Sequence, residues 1–290
     1  MKTLGIVAWP GRSERLQEAL ERVAAWGIQH PRIRILALDS LRGISAGLSL
    51  AKTARIRASD ALIAIGGDGT VLSAARLTLG REIPLLGINT GRIGFLAEYR
   101  VDSLEEALDL LVTGNYRLCP RIMLDFRVRQ GRKILMRDTS LNEVQVQAVD
   151  PEHMVDLEVS LNGQRLTEYW ADSLLVSTPT GSTAYNLSAG GPILHPATPA
   201  FILNPVNPFS LAVRPLVIPA ENVVLTLREC NGHSLRIWSD GRPGAELGPG
   251  QILELRKSRW GTSFVQPIHT GFVDALREKL GWTGKPRPKP

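Results

Sequence analysis

The apolar run Ala61-Leu62-Ile63-Ala64-Ile65 leads straight into Gly66-Gly67-Asp68-Gly69-Thr70, and that junction decides how the first part of the chain folds. Five consecutive apolar residues mark a strand buried on both faces of a parallel sheet. Three glycines in the next four positions let the backbone take φ > 0 and bring its N–H groups against a ligand, as phosphate sites require. The acid among them is the unexpected part. A carboxylate repels phosphate, so Asp68 fits there as a group that handles a proton, a metal ion or a sugar hydroxyl beside the phosphates. The same residues also read as a plain strand-to-helix turn, with Asp68 or Thr70 capping a helix that starts at Val71. The turn alone does not decide between the two.

Working outward, residues 4–9, 33–38 and 85–89 are further short apolar runs of the same kind. Helical spacing lies between them. Leu16, Leu20, Val23 and Ala24 form one stripe over residues 13–26, with Gly27 as the expected C-cap, and residues 71–79 repeat the period. Ser103-Leu104-Glu105-Glu106 is a capping box, followed by Leu108 and Leu111 and stopped at Gly114. The expectation is a Rossmann-like parallel α/β domain over residues 1–118, with its ligand crevice at the carboxyl ends of the strands.

After about Leu118 the period changes to two. Leu124, Phe126 and Val128 alternate with Asp125, Arg127 and Arg129, and Val155, Leu157, Val159 and Leu161 alternate with Asp156, Glu158 and Ser160. Asn162-Gly163 signals a type I′ hairpin, and Gln130-Gly131 a weaker turn. Residues 174–177, 223–227, 234–238, 252–255 and 263–265 complete an expected all-β, sandwich-like domain over 119–267. Phe272, Leu276 and Leu280 then fall four apart. An isolated helix after an all-β region needs an apolar surface, so residues 268–282 are expected to return to the first domain.

Composition excludes several classes. The chain has 290 residues, 43% hydrophobic and 21% charged, and no apolar run approaches the roughly 18 residues of a membrane span. Residues 4–9 are too short for a signal peptide, so the expected location is the cytoplasm, with no membrane partner. Cys119 and Cys230 show no C-x-x-C spacing, and the five histidines no i, i+4 pair, so no dedicated metal-ligand set is expected. Of the net charge of +6, half comes from Lys285, Arg287 and Lys289. These alternate with prolines in an expected disordered tail, 283–290. No nucleic-acid-binding pattern is visible.

One stretch resists a structural explanation. Residues 177–192, Ser-Thr-Pro-Thr-Gly-Ser-Thr-Ala-Tyr-Asn-Leu-Ser-Ala-Gly-Gly-Pro, hold eleven Ser, Thr, Gly or Pro in sixteen positions, as a linker does. Apolar runs on both sides favour a binding loop instead. Asn142-Glu143 and Asp172 both precede it in sequence. Each acid also serves as an ordinary cap or turn residue, yet an acid accepting both hydroxyls of a ribose beside glycine-rich loops suggests a nucleoside.

The order of these segments resembles the NAD kinase family. The likeness runs from Gly66-Gly67-Asp68-Gly69-Thr70 through Gly87-Ile88-Asn89-Thr90-Gly91-Arg92-Ile93-Gly94-Phe95-Leu96, Leu141-Asn142-Glu143-Val144 and Ala171-Asp172. It continues through residues 177–185, Leu187-Ser188-Ala189-Gly190-Gly191-Pro192, Arg214-Pro215-Leu216 and Lys279-Leu280-Gly281-Trp282. The glycine-Asp-glycine signature alone is shared with phosphofructokinases and diacylglycerol-type lipid kinases; the serine/threonine loop with Asn142-Glu143 is not.

The resemblance implies phosphorylation of the adenosine-ribose 2′-hydroxyl of NAD, from ATP or polyphosphate, with Mg²⁺ or another divalent metal held mainly through the phosphates. It implies Asp68 as the catalytic acid and proton acceptor, and Gly66, Gly67, Gly69 and Thr70 around phosphate. It assigns Asp68, Gly69, Asn142, Glu143, His153, Asp172, Thr183, Ala184, Tyr185, Asn186, Leu187 and Ser188 to NAD. It also implies a homodimer or homotetramer. No Walker lysine is present. Ser173, Trp170 and Arg242 depart from the family's commoner residues, Ser173 harmlessly unless its position needs φ > 0. A lipid or sugar kinase of the same lineage, or a non-catalytic dinucleotide sensor, are the alternatives.

Overall fold

The computed structural model describes residues 1–9, 13–91, 94–150, 152–268 and 271–282, so the expected tail 283–290 lies outside the described residues. The chain divides into two compact units, Met1–Pro120 together with the chain from Thr262 on, and Arg121–Gly261.

The first unit is built on one sheet whose strands run Ser49–Ala51, Arg34–Leu38, Thr3–Val7, Ala61–Gly66, Pro84–Asn89, Thr262–Gln266 and Arg117–Arg121, with Tyr99–Arg100 also beside Pro84–Asn89. From Ser49–Ala51 across to Thr262–Gln266, each neighbouring pair is parallel. The apolar runs are buried on both faces: Leu62, Ile63, Ile65, Leu85, Leu86 and Ile88 expose nothing, as a covered parallel sheet requires.

Helix Glu14–Gln29 is capped by Ser13, whose Oγ accepts the Leu16 N–H at 3.4 Å, and it buries Leu16, Leu20, Val23 and Trp26. It runs past Gly27, the expected C-cap, to end at His30. Gly27 serves packing instead, since a Cβ there would lie 2.8 Å from Ile35 Cδ1. Helix Leu104–Thr113 ends at Gly114 with φ 78°, as expected, but the capping box does not form. A 3₁₀ turn over Val101–Ser103 leads into this helix, and the Ser103 hydroxyl turns back to donate to the Arg100 carbonyl at 3.2 Å.

Strand Thr262–Gln266 differs from expectation. Its alternation placed residues 263–265 in the β region, but it pairs parallel to Pro84–Asn89, buries Phe264 and Val265 there, and bonds Thr262 Oγ1 to Thr78 Oγ1 at 3.0 Å. A five-residue alternating run does not carry the identity of its sheet. Helix Phe272–Leu280 returns to the first unit with no residue fully buried; one of its contacts is the Lys279 ammonium over the Phe95 ring, 5.4 Å from the centroid.

The second unit is a sandwich of two six-stranded sheets. One runs Leu216–Pro219, Ala200–Val206, Ser173–Ser177, Glu143–Ala148, Leu235–Ser239, Arg242–Leu247; the other runs Gln164–Ala171, Val155–Leu161, Val224–Glu229, Ile252–Lys257, Leu124–Gln130, Lys133–Ser140. All these pairings are antiparallel. One core joins the inner faces, with Phe126, Val144, Val146, Leu157, Phe201, Leu227, Ile237 and Leu255 in it. The Asn162-Gly163 hairpin forms with φ of 51° and 82°, the type I′ signature.

Candidate functional site

In the first unit, strand Ala61–Gly66 ends and helix Asp68–Leu77 begins with only Gly67 between them, as N-cap. The helix therefore starts three residues before Val71, and Asp68 occupies its first turn. The capping alternative fails on the side chain. Asp68 Oδ2 accepts the Phe95 N–H at 2.9 Å and Oδ1 the Leu96 N–H at 3.2 Å, so the carboxylate is held by the second glycine-rich loop and not by its own helix.

Each glycine here has a distinct reason. At Gly66, φ is 154° and a Cβ would lie 2.3 Å from Thr70 Oγ1. A Cβ on Gly94 would lie 2.0 Å from Asp68 Oδ1. Gly67 and Gly69 are exposed and a Cβ on either would meet open space. Sterics do not require those two, so their bareness leaves an uncovered helix N-terminus where N–H groups lack intrahelical partners and favour an anion. Thr70 is buried and its side chain supports Gly66.

In the second unit, Asn142 and Glu143 are each 7% exposed. Asp240 organises them. Its carboxylate accepts the N–H groups of Leu141 (3.0 Å), Asn142 (2.7 Å) and Glu143 (3.4 Å), from a turn in which Asp240 itself has φ 50°. The Asn142 carbonyl accepts the Thr178 N–H at 2.8 Å, and a Cβ on Gly181 would lie 2.1 Å from that oxygen. The start of the serine/threonine loop thus folds onto the Asn142 backbone. Two polar atoms remain over: Asn142 Oδ1 and Glu143 Oε2 are buried without a hydrogen-bond partner. Such orphans cost about 1–3 kcal/mol each, a cost that a ligand donating hydrogen bonds removes. Burial, with the Asp240 charge adding to it, pushes the Glu143 carboxyl up to about 8.

The loop is not a linker. Ser177, Thr178, Thr180 and Ser182 are at most 5% exposed, and a 3₁₀ turn Gly181–Thr183 leads into a short helix, Tyr185–Ser188. Asn186 is its pin. Fully enclosed, it donates from Nδ2 to the carbonyls of Ser182 (3.2 Å) and Pro192 (3.0 Å), and its Oδ1 accepts from Asn204 Nδ2 at 3.1 Å. A Cβ on Gly191 would lie 2.1 Å from that Oδ1. Around it Thr183, Ala184 and Leu187 are half-buried, and Tyr185 and Ser188 are exposed.

Asp172 is exposed and accepts from Asn207 Nδ2 at 2.9 Å. His153 is exposed, its Nδ1 3.1 Å from Asp150 and its ring 4.7 Å from that of His233. Ser173 opens an extended strand with no positive φ, so serine serves there. The Trp170 ring packs tilted against that of Phe209, 4.3 Å between centroids.

Sequence reading missed Asp240 and the Gly94–Leu96 clamp on Asp68. Asp240-Gly241 between alternating segments has the form of a hairpin turn, but nothing local shows that its carboxylate reaches residues 141–143. Among the described residues, the cluster of at least three potential metal ligands is Asp156, Glu168 and Cys230. Its thiol is a soft ligand that suits Mg²⁺ poorly, and it includes none of the site residues.

A phosphate-receptive turn carrying a fixed carboxylate, and a β-sandwich corner with an orphaned amide and carboxyl, define a protein that handles a phosphorylated nucleoside. Comparison with known proteins is specific. The family model for the ATP-NAD kinase N-terminal domain matches residues 13–116, and that for the C-terminal domain residues 141–267. The chain is 40% identical over 224 residues to the NAD kinase of Geobacter metallireducens, covering 77% of this chain and 79% of the relative. It is 34% identical over 291 residues to that of Cellvibrio japonicus, covering 97% and 96%. The chain belongs to the NAD kinase family. Its fold is that of crystalline yeast NADH kinase complexed with NADH (TM-score 0.89, 23% identity, 100% of this chain and 90% of that one) and of an Archaeoglobus fulgidus NAD kinase in complex with ATP (TM-score 0.68, 24% identity, 92% and 94%).

Proposed function

We propose that this protein transfers the γ-phosphoryl group of ATP to the 2′-hydroxyl of the adenosine ribose of NAD, making NADP. The observation that carries this reading is Asp68: a carboxylate inside a phosphate-type glycine turn, fixed by two N–H bonds from a second loop. A sugar hydroxyl is a weak nucleophile near neutral pH. A fixed carboxylate that takes its proton is typically worth about 10² to 10⁴ in rate, and phosphoryl transfer depends otherwise on positioning and charge neutralisation.

Gly66, Gly67 and Gly69 present the helix N-terminus to the phosphate chain, with Thr70 packed against Gly66. Asn142 and Glu143 hold the adenosine end through their unpaired oxygens. Asp172, the stretch Thr183 to Ser188 and exposed Tyr185 contact the rest of the dinucleotide, the tyrosine by stacking, with Asn186 keeping that stretch in shape.

A divalent cation such as Mg²⁺ would be held mainly through the phosphate oxygens of the donor and would supply charge neutralisation on the transferring group. Polyphosphate is a second donor compatible with a turn that reads only phosphate. No described helix is long and apolar enough to cross a membrane, and both cysteines are free thiols; cytoplasmic residence and a homo-oligomeric assembly complete the reading. Incubation with NAD, Mg²⁺ and either ATP or polyphosphate, followed by chromatographic detection of NADP, tests it. Absence of NADP with both donors overturns it.

A further inference from the structure

The first unit holds a cation that the proposed reaction has not used. Lys279 lies near the end of helix Phe272–Leu280, with its ammonium over the ring of Phe95, while the Phe95 N–H is one of the two donors that fix Asp68. One residue therefore carries the acid on its backbone and the cation on its side chain. Lys279 is half-buried and, among the described residues, forms no ion pair within 4.0 Å. Burial draws its pKa below the ordinary lysine value, partly countered by the carboxylates of Glu98 and Asp68. No side chain of the helix that delivers it is fully buried, though Phe272, Ala275 and Leu276 are half-buried.

We infer that Lys279 is the side-chain cation of the phosphate site, engaging the phosphate chain of the donor beside Asp68 in the place that a Walker lysine fills in other phosphotransferases. The inference rests on the phosphotransferase reading above. Its chemistry is direct. A partly desolvated ammonium without a carboxylate partner gains most from a polyanion, and in phosphoryl transfer the charge on the equatorial oxygens is what such a cation stabilises. The competing explanation is that Lys279 merely fastens the terminal helix to the Phe95 ring.

Three full-length variants separate the two. Lys279→Met keeps the aliphatic reach and removes the charge, Lys279→Arg keeps the charge, and Phe95→Leu removes the ring and keeps the ammonium. Two quantities are read: binding of inorganic tripolyphosphate by calorimetry, and steady-state NADP formation with donor and NAD varied separately. The expected result is at least a tenfold loss of tripolyphosphate affinity in Lys279→Met, with turnover reduced by about 10²-fold, the usual worth of one charge-stabilising donor. KM for NAD should stay within about threefold and Lys279→Arg should recover most of both losses; Phe95→Leu, at the residue whose N–H fixes Asp68, is read by tripolyphosphate affinity alone, which should change by less than about fivefold. The rate of wild type should fall as Lys279 deprotonates at alkaline pH, and that limb should be missing in Lys279→Met. Equal behaviour of Lys279→Met and Phe95→Leu, with lowered melting temperatures and unchanged tripolyphosphate affinity, overturns the inference. If wild type makes no NADP, the reading fails, while the tripolyphosphate comparison still decides the role of Lys279.

Discussion

The Asp68 turn and the Asn142–Glu143 corner each present an acid, in opposite states. Asp68 has both oxygens satisfied by backbone N–H groups and bare glycines on either side of it. Glu143 is buried with one oxygen unpaired, and its carboxyl is pushed up to about 8. The first arrangement suits an acid that must be in one place when the reaction occurs. The second suits recognition, since a buried group left unpaired rewards only a partner that completes it.

The contrast breaks most visibly at Asp68. Asp68→Asn keeps an acceptor for only one of the two N–H donors, of Phe95 and Leu96, so it should fold with a loss of about 1–3 kcal/mol and lose more than about 10²-fold in turnover. Near-normal NADP formation would remove Asp68 from the chemistry. Gly94→Ala attacks the same acid from outside, since its Cβ would sit 2.0 Å from Asp68 Oδ1. Displacement of that order should cost at least about tenfold in turnover, with NAD affinity by calorimetry little changed.

At the corner the supporting residue is the sensitive one. Asp240→Ala leaves three N–H groups, on Leu141, Asn142 and Glu143, without their acceptor. A loss on the order of 2–3 kcal/mol in denaturant unfolding is expected, together with weakened NAD binding. Asp240→Asn, which retains an acceptor, should recover part of it. Equal stability of all three proteins would mean that the corner is held by something other than Asp240.

Glu143 carries a pH signature. Its folded-state pKa, about 8, stands above the ordinary 4.5, so between those values the folded protein holds a proton that the unfolded chain has released. Stability should therefore fall as pH rises from about 4.5 to about 8 and stop falling above it, by a total on the order of 1–4 kcal/mol. Glu143→Gln, neutral at every pH, should remove that slope. Urea midpoints of the two proteins across this range provide the check, and parallel curves would place the charge of Glu143 in water.

Legibility followed sequence distance. The Asp68 turn was readable because its apolar strand, glycines and helix are consecutive, and the hairpin at Asn162-Gly163 for the same reason. Asp240 reaches residue 142 across 98 positions, and the Phe95 N–H reaches Asp68 across 27; no local period encodes either. Strand Ala200–Val206 was missed because burial on nearly its full length erases alternation. Strand Thr262–Gln266 was visible as a strand yet assigned to the wrong sheet, since pairing is not a local property. Gly27 read as a helix stop when its cause is the Ile35 side chain packed against it.

The smallest expected effect sharpens the comparison from the corner's far side. Ser173 stands where the family resemblance implies glycine, beside Asp172 and at the start of a strand paired with Glu143–Ala148. Its backbone is extended, and its Oγ accepts from Gln145 Nε2 at 3.2 Å. Nothing in that geometry calls for a left-handed residue. Ser173→Gly should therefore lower stability by about 1–2 kcal/mol, the combined cost of backbone freedom and one modest hydrogen bond, and leave KM for NAD within about twofold. A gain in NAD affinity on restoring glycine would instead show that the serine side chain crowds the ligand, and that Asp172 and Ser173 act as one element of recognition.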